Sequence, residues 1–451
     1  MKSNFSIWFK LVFVLIIFLS FQSLGQVNVE KMPFSKNLIQ EKQANVNSTI
    51  TNFMTEGKMN TKDTDGIIIN SNNDFSLYTT IGNGTKENPF VIENISFTGY
   101  NSVPAIEIQN TNKYFILREI TVGAWSIGID LFNVKNGLLE DNLIFYSHYG
   151  ILINQTSNTI LMNNTIYTGT SDGIILDRAS YNTLDSNKVI FDHTIYSRRF
   201  FMYGLVIDNS PQNKIINNNL TYAGISIAGS LNTLEQVEFK NNTIGGTPIL
   251  FYQNEVNKNI TTSTRQIILI NCSYFTIKDQ ILYEVPFGIA LFYSSYNILK
   301  NNQIFGSTYG FLIQNSDNNL FSNNSISVDD LGSQTLYNTG FYFLSSNKNT
   351  IENNSVKAVL YGIYFVDSNN NIVKDNSISI MLKGSNDGKC YATVLSINKF
   401  TSNSCNVPST NDWVQFSLMI SGVMVVFILA ISLVFFIKEI FTKNSSKKDP
   451  K

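Results

Sequence analysis

Through the middle of this chain, apolar and polar residues alternate in short runs bounded by Gly, Asn or Ser. One unit reads Asn164-Thr165-Ile166-Tyr167, then Asp172-Gly173-Ile174-Ile175-Leu176-Asp177, then Asn182-Thr183-Leu184-Asp185. Alternation of this kind is the signature of short half-buried strands. A Gly-apolar-x-apolar pattern recurs at Gly128, Gly150, Gly173, Gly204, Gly224, Gly288, Gly310, Gly340 and Gly362. An Asn-Asn-x-apolar pattern keeps step with it around Asn142, Asn164, Asn187, Asn218, Asn242, Asn302, Asn324, Asn354 and Asn376. Most Gly-to-Gly steps are 20, 22 or 23 residues, two are 30 and 31, and one gap of 64 has room for three units. A fixed short period means one unit stacked many times, so the middle of the chain reads as a single solenoid.

Three strands per unit return the chain to its start, and the next unit stacks ~4.8 Å above it with parallel hydrogen bonds. Ile174 and Leu176 then point inward and stack on Leu205 and Ile207 of the next coil. The glycines are expected to supply a sharp turn or positive φ. The second Asn of each pair is expected in a left-handed position, pointing inward to bond the same amide one coil up. The longer steps place inserted loops at 195–200 and 328–336, and the solenoid is expected over 64–400.

The two ends read differently. Lys2 and Lys10 precede the apolar run from Leu11 to Leu19, which leads to Ser23-Leu24-Gly25, the pattern of a signal peptide over 1–25 with Gln26 as the first mature residue. Residues 26–63 are polar and aperiodic, an arm or N-terminal cover. Residues 414–437 carry no charge over 24 positions, long enough to span a bilayer core of ~30 Å. With Trp413 at one interface, a transmembrane helix over 413–437 follows a stalk at 401–412 and precedes a basic tail at 438–451. The lysines of that tail place it in the cytoplasm and the solenoid outside the cell, in a single-pass cell-membrane protein. Net charge is only -1 and charged residues make up 14%, with no basic stripe, so nucleic acid is excluded as a partner. Of three cysteines, Cys390 and Cys405 suit a disulfide closing the solenoid, and Cys272 suits a buried thiol.

The repeated Tyr-Gly-Ile-x-Leu, Ser-x-x-Asn-x-Ile and Asn-Asn-x-Ile motifs resemble the NosD-type right-handed parallel β-helix, a branch of the pectate-lyase-like class. The stretch from Gly82 to Glu93 and those around Thr247-Pro248 and Gln266 to Cys272 resemble archaeal surface proteins of this kind. The resemblance covers about 64–400 and implies an all-β, right-handed parallel β-helix of roughly a dozen coils, to which the ends add one C-terminal transmembrane helix. It is weak for activity, because the class holds lyases, hydrolases, epimerases and adhesins. NosD proteins are associated with copper-site maturation, but two His and scattered Met give no soft-ligand cluster here. No metal or cofactor is identifiable. Thr170-Ser171-Asp172-Gly173 is similar to a polygalacturonase motif, without the Gly-His-Gly and Arg-Ile-Lys motifs that accompany it there.

Reactive residues gather between 148 and 199: His148, His193, Arg178, Arg198, Arg199, Asp172, Asp177, Asp185 and Asp192. Asp177 and Asp208 occupy the same repeat position, so they are expected outward on adjacent coils, ~5 Å apart, able to share a raised pKa or a cation. Asp172, Asp177 and Asp208 are the catalytic candidates of a carbohydrate-active enzyme, set against a merely solvated face. A second column runs Asp130, Leu152, Ile175, Val206, Ser226, Ala290, Leu312, Tyr342 and Tyr364. Its apolar upper half marks a partner or a cover. Tyr309 and Tyr361, preceding their glycines, join Tyr342 and Tyr364 as candidates for holding sugar rings. Sequons at Asn83, Asn94, Asn163, Asn241, Asn323 and Asn353 are candidate glycosylation sites. The reading is a membrane-anchored cell-surface protein that binds glycans or envelope partners, with a glycan-processing enzyme and a structural envelope spacer as alternatives.

Overall fold

The computed structural model describes residues 66–168, 171–191, 203–328, 338–381 and 389–407. The signal segment, the polar arm, the apolar run at 414–437 and the basic tail lie outside them, as do all but Val328 of the two expected insertions. Within the described residues the chain winds as a parallel β-helix with three strands to a full coil. The expected stacking holds: Ile174 pairs with Leu205 and Leu176 with Ile207.

The chain forms two stacks rather than one unbroken solenoid. In the first, the sheet that carries the glycine motif ends at Gly224–Ala228 and a second face ends at Glu238–Lys240. New sheets begin at Leu250–Gln253, Asn259–Ile260 and Ile281–Tyr283, and none continues an earlier ladder. The 64-residue gap is therefore the end of one stack and the start of another. The outer side of the second stack's glycine face packs on the end of the first: Ile268, Ile270, Ala290 and Phe292 join Ile225, Ile227, Leu234 and Val237 in one core. The inward residues Ile267, Leu269, Ile289 and Leu291 belong to the second stack's own core. That core is rich in Phe, with Phe311 stacked on Phe341 at 4.8 Å and Phe343 on Phe365 at 4.8 Å.

Two details of the repeat differ from expectation. The glycines of the motif do not adopt positive φ; they are needed for space. A Cβ on Gly150 would lie 2.3 Å from Gly173 O and 2.6 Å from Ile166 Cγ2, and one on Gly310 would lie 2.5 Å from Ile326 Cγ2. Close approach of backbone and core at this corner excludes any side chain. In the Asn pairs it is the first residue that is left-handed, with φ near 55° at Asn163, Asn241, Asn323 and Asn353. The second is buried and forms the ladder. Asn302 Nδ2 donates to Asn324 Oδ1 at 3.0 Å, and Asn324 Nδ2 to Asn354 Oδ1 at 2.9 Å. Each Oδ1 also accepts a backbone N–H from the coil below, as Asn324 Oδ1 does from Asn302 N at 2.9 Å. Repetition satisfies a polar group that burial alone would penalise.

The ends are closed unequally. At the N-terminal end Phe75 is fully buried and stacks on Phe90 at 4.7 Å. At the other end the coils continue past the expected boundary at 400, because Ser404–Asn406 pairs with the strand Ser377–Ile380. Cys390 and Cys405 form a disulfide within this last coil. Cys272 is a buried free thiol.

Candidate functional site

Side chains on the outer side of the glycine face alternate with the core residues, so they form columns one coil apart. Asp177 and Asp208 are register partners in one such column. Their surroundings differ from the shared cation or proton expected there. The Arg178 guanidinium binds the Asp177 carboxylate through both oxygens, at 3.0 and 2.8 Å, while Asp208 Oδ1 accepts from Asn209 Nδ2 at 2.9 Å. The positive charge beside the pair is the chain's own.

Asp172 does not join them. It lies five positions before Asp177, two residues ahead of the strand Ile174–Asp177, where its Oδ1 accepts from Tyr203 N at 2.9 Å. Burial raises its carboxyl above the usual range, opposed by that hydrogen bond and by the charge of His148. Burial and the Asp172 charge likewise raise the Tyr203 phenol. His148 packs edge-on against Tyr149, with centroids 4.6 Å apart. The three Asp candidates therefore divide into an ion-paired group and a separate Asp172–His148–Tyr203 group. His193, Arg198, Arg199 and Asp192 lie outside the described residues.

The tyrosine candidates do come together. Tyr342 and Tyr364 are register partners, and Tyr309, Thr339 and Tyr361 run beside them. Ring centroids are 5.5 Å apart for Tyr309–Tyr342, 5.5 Å for Tyr342–Tyr364 and 4.7 Å for Tyr361–Tyr364. All four are half-buried, and burial next to Tyr364 raises the Tyr342 phenol. The rings make a continuous surface over three coils, tilted rather than coplanar, as the quadrupoles of aromatic pairs prefer. Exposed Lys389 continues the row as the partner of Tyr361. The apolar part of the same column has an internal explanation: Ala290 and Leu312 face the end of the first stack. Leu312 and Tyr309 keep partial exposure while packing on that core, and Tyr342 and Tyr364 carry the column on beyond it.

Two features escaped the sequence reading. Glu107 is the register partner of Asp130, and burial followed by the Glu107 charge pushes Asp130 up to about 6. The coil holding Glu107 was hidden because Ala105 replaces the motif glycine, although Ala105-Ile106-Glu107-Ile108 keeps the alternation. Tyr274 and Tyr296 stack at an exposed corner, 5.5 Å apart and nearly parallel, both left-handed where other coils carry Asn257, Asn318 or Asn370. Among the described residues no group of three or more His, Cys, Asp or Glu could hold a metal, and no helix is long and apolar enough to cross a membrane. The asparagines of all six named sequons are exposed.

The family model described as right handed beta helix region matches residues 46–244, 203–378 and 267–411. The chain belongs to the right-handed β-helix family. Its solved relatives share little sequence. An alginate lyase in complex with G6 is 12% identical, with 79% of this chain and 89% of that one covered and a TM-score of 0.30. The A-module of a mannuronan C-5 epimerase from Azotobacter vinelandii is 12% identical over 71% and 78%, with a TM-score of 0.26. A tailspike protein double mutant of E. coli bacteriophage HK620, in complex with pentasaccharide, is 8% identical over 68% and 70%, with a TM-score of 0.33. At these values such likenesses decide nothing about chemistry. No curated protein matches the chain.

Proposed function

We propose that this β-helix protein binds glycans on the tyrosine surface formed by Tyr309, Tyr342, Tyr361 and Tyr364. The observation that carries the reading is the ring cluster itself, continuous across three coils on an outer face. The core of the same stack is built from Phe, so aromatic packing alone does not call for outward tyrosines. A half-buried phenol presents a ring face to sugar C–H groups and a hydroxyl to their oxygens. The test is a glycan array with the full-length protein, followed by Tyr342→Ala and Tyr364→Ala against any ligand found. Loss of at least about tenfold in affinity, the order expected for a buried aromatic anchor, supports the reading. Equal binding by both variants overturns it.

The location proposed with this function is the cell membrane, with the β-helix outside and a short cytoplasmic tail. It rests on the signal-type N-terminus, the uncharged run at 414–437 and the lysines after it. Exposed sequon asparagines suit that location, as does the NosD-type resemblance of the repeats. A second reading, a carbohydrate-active enzyme, is favoured by Asp172 beside His148 and Tyr203, where burial raises both the Asp172 carboxyl and the Tyr203 phenol. Product analysis with acidic polysaccharides, for wild type and Asp172→Asn, separates the two.

A further inference from the structure

The last coil breaks the polar pattern of its own corner. In the three coils before it, the left-handed position after the glycine-face strand holds Asn315, Ser345 and Asp367. In the last coil it holds Leu395, left-handed at φ 49° and 82% exposed. Two residues on, Asp317 Oδ1 accepts from Asn347 N, Asn347 Oδ1 from Asn369 N, and Asn369 Oδ1 from Ile397 N. Ile397 thus ends a ladder of polar side chains with an apolar one, 81% exposed. Local backbone chemistry favours neither, since Asn is the cheaper residue in a left-handed turn and branched apolar chains gain nothing in water. Phe400, Val394 and Val407 are exposed beside them, and Lys389 and Lys399 flank the patch.

The chain after this coil says what the patch meets. Six residues, 408–413, separate Val407 from the uncharged run at 414–437. Seven peptide steps reach at most ~25 Å. We propose that the last coil rests directly on the lipid surface, with Leu395 and Ile397 inserted among the headgroups and Lys389 and Lys399 on anionic lipid. The β-helix then stands on the membrane by its end, with the tyrosine surface beginning one coil above it. This rests on the membrane location proposed above.

The test uses the full-length protein in phosphatidylcholine vesicles with and without phosphatidylglycerol. An environment-sensitive fluorophore is placed singly at Leu395→Cys, Ile397→Cys, Asn347→Cys or Ser417→Cys, with the Cys390–Cys405 bridge verified by intact mass. The proposal expects quenching by brominated lipid chains at 395 and 397 at least about twofold above that at 347, and more so with the anionic lipid. Quenching at 417 with none at 395 and 397 overturns the proposal and leaves the anchor standing. Absence of quenching at 417 as well removes the membrane location and the proposal with it.

Discussion

The side-chain amide of Gln266 completes the edge strand of the first stack: Ile225 N donates to Gln266 Oε1 at 3.0 Å, and Gln266 Nε2 donates to Ile225 O at 2.9 Å. One side chain thus serves both backbone groups that a further strand would have paired. Gln266 is fully buried, and the strand Gly224–Ala228 is the end of its sheet. Replacing Gln266 with Leu leaves two buried backbone groups unpaired, at about 2–4 kcal/mol together. Chemical denaturation reads that loss, and hydrogen exchange shows faster opening at the Ile225 amide. Gln266→Glu behaves differently with pH. Burial raises a carboxyl pKa, so the variant is most stable at low pH, where the protonated acid still donates to Ile225 O, and weakens as pH rises through that pKa.

The two asparagines of a pair do unlike work and tolerate unlike substitutions. Asn324→Ala removes donors to Leu299 O and Asn354 Oδ1 and an acceptor for Asn302, and is expected to cost about 3 kcal/mol. Asn323→Gly, at the exposed left-handed position, is expected to stay within ~0.5 kcal/mol of wild type. Thermal melts of the two variants, one residue apart, check the assignment.

Gly310→Ala is expected to lower stability by about 2–3 kcal/mol, because its Cβ meets Ile326 Cγ2 at 2.5 Å and Gly340 O at 2.6 Å. Steric crowding rather than turn geometry is the cause, so Gly310→Asn, which would relieve a positive φ, should be at least as damaging. An Asn variant more stable than the Ala variant would contradict this account.

Much of this was legible in the sequence because a parallel β-helix writes its register into its period. Ile174 on Leu205, Asp177 beside Asp208 and Tyr342 beside Tyr364 all follow from counting from a glycine. The break between stacks was not legible. A gap of 64 residues is compatible with continued winding, and only the burial of outward residues such as Ile268 and Ala290 reveals that the second stack packs side-on against the first. The roles of glycine and of the first asparagine were misread for a related reason: sequence names the residue at a corner, but φ and neighbouring atoms decide why it is there. Asp172 and Asp177 are close in sequence, but Asp172 precedes the strand Ile174–Asp177 that Asp177 ends, so the two meet different neighbours.

Asp130 provides a check on the outer acidic pair. Its pKa of about 6 lies above the unfolded value, so the folded state holds the extra proton between the two. The resulting stability is present at low pH and is lost as pH rises from about 4 to 6. Asp130→Asn should remove that slope and stabilise the protein at pH 7 by about 1 kcal/mol, after allowing for solvent screening of a partly exposed group. Melting temperatures across pH 4–7 for both proteins measure it.

Hydroxyl-radical footprinting of the full-length protein, with and without an oligosaccharide that it binds, tests the central claim most directly. Protection at Tyr309, Tyr342, Tyr361 and Tyr364, with none at the exposed Tyr181, is the result expected. Bound oligosaccharide that leaves those four rings as reactive as before, or that shields the Asp172–His148–Tyr203 group instead, would contradict it.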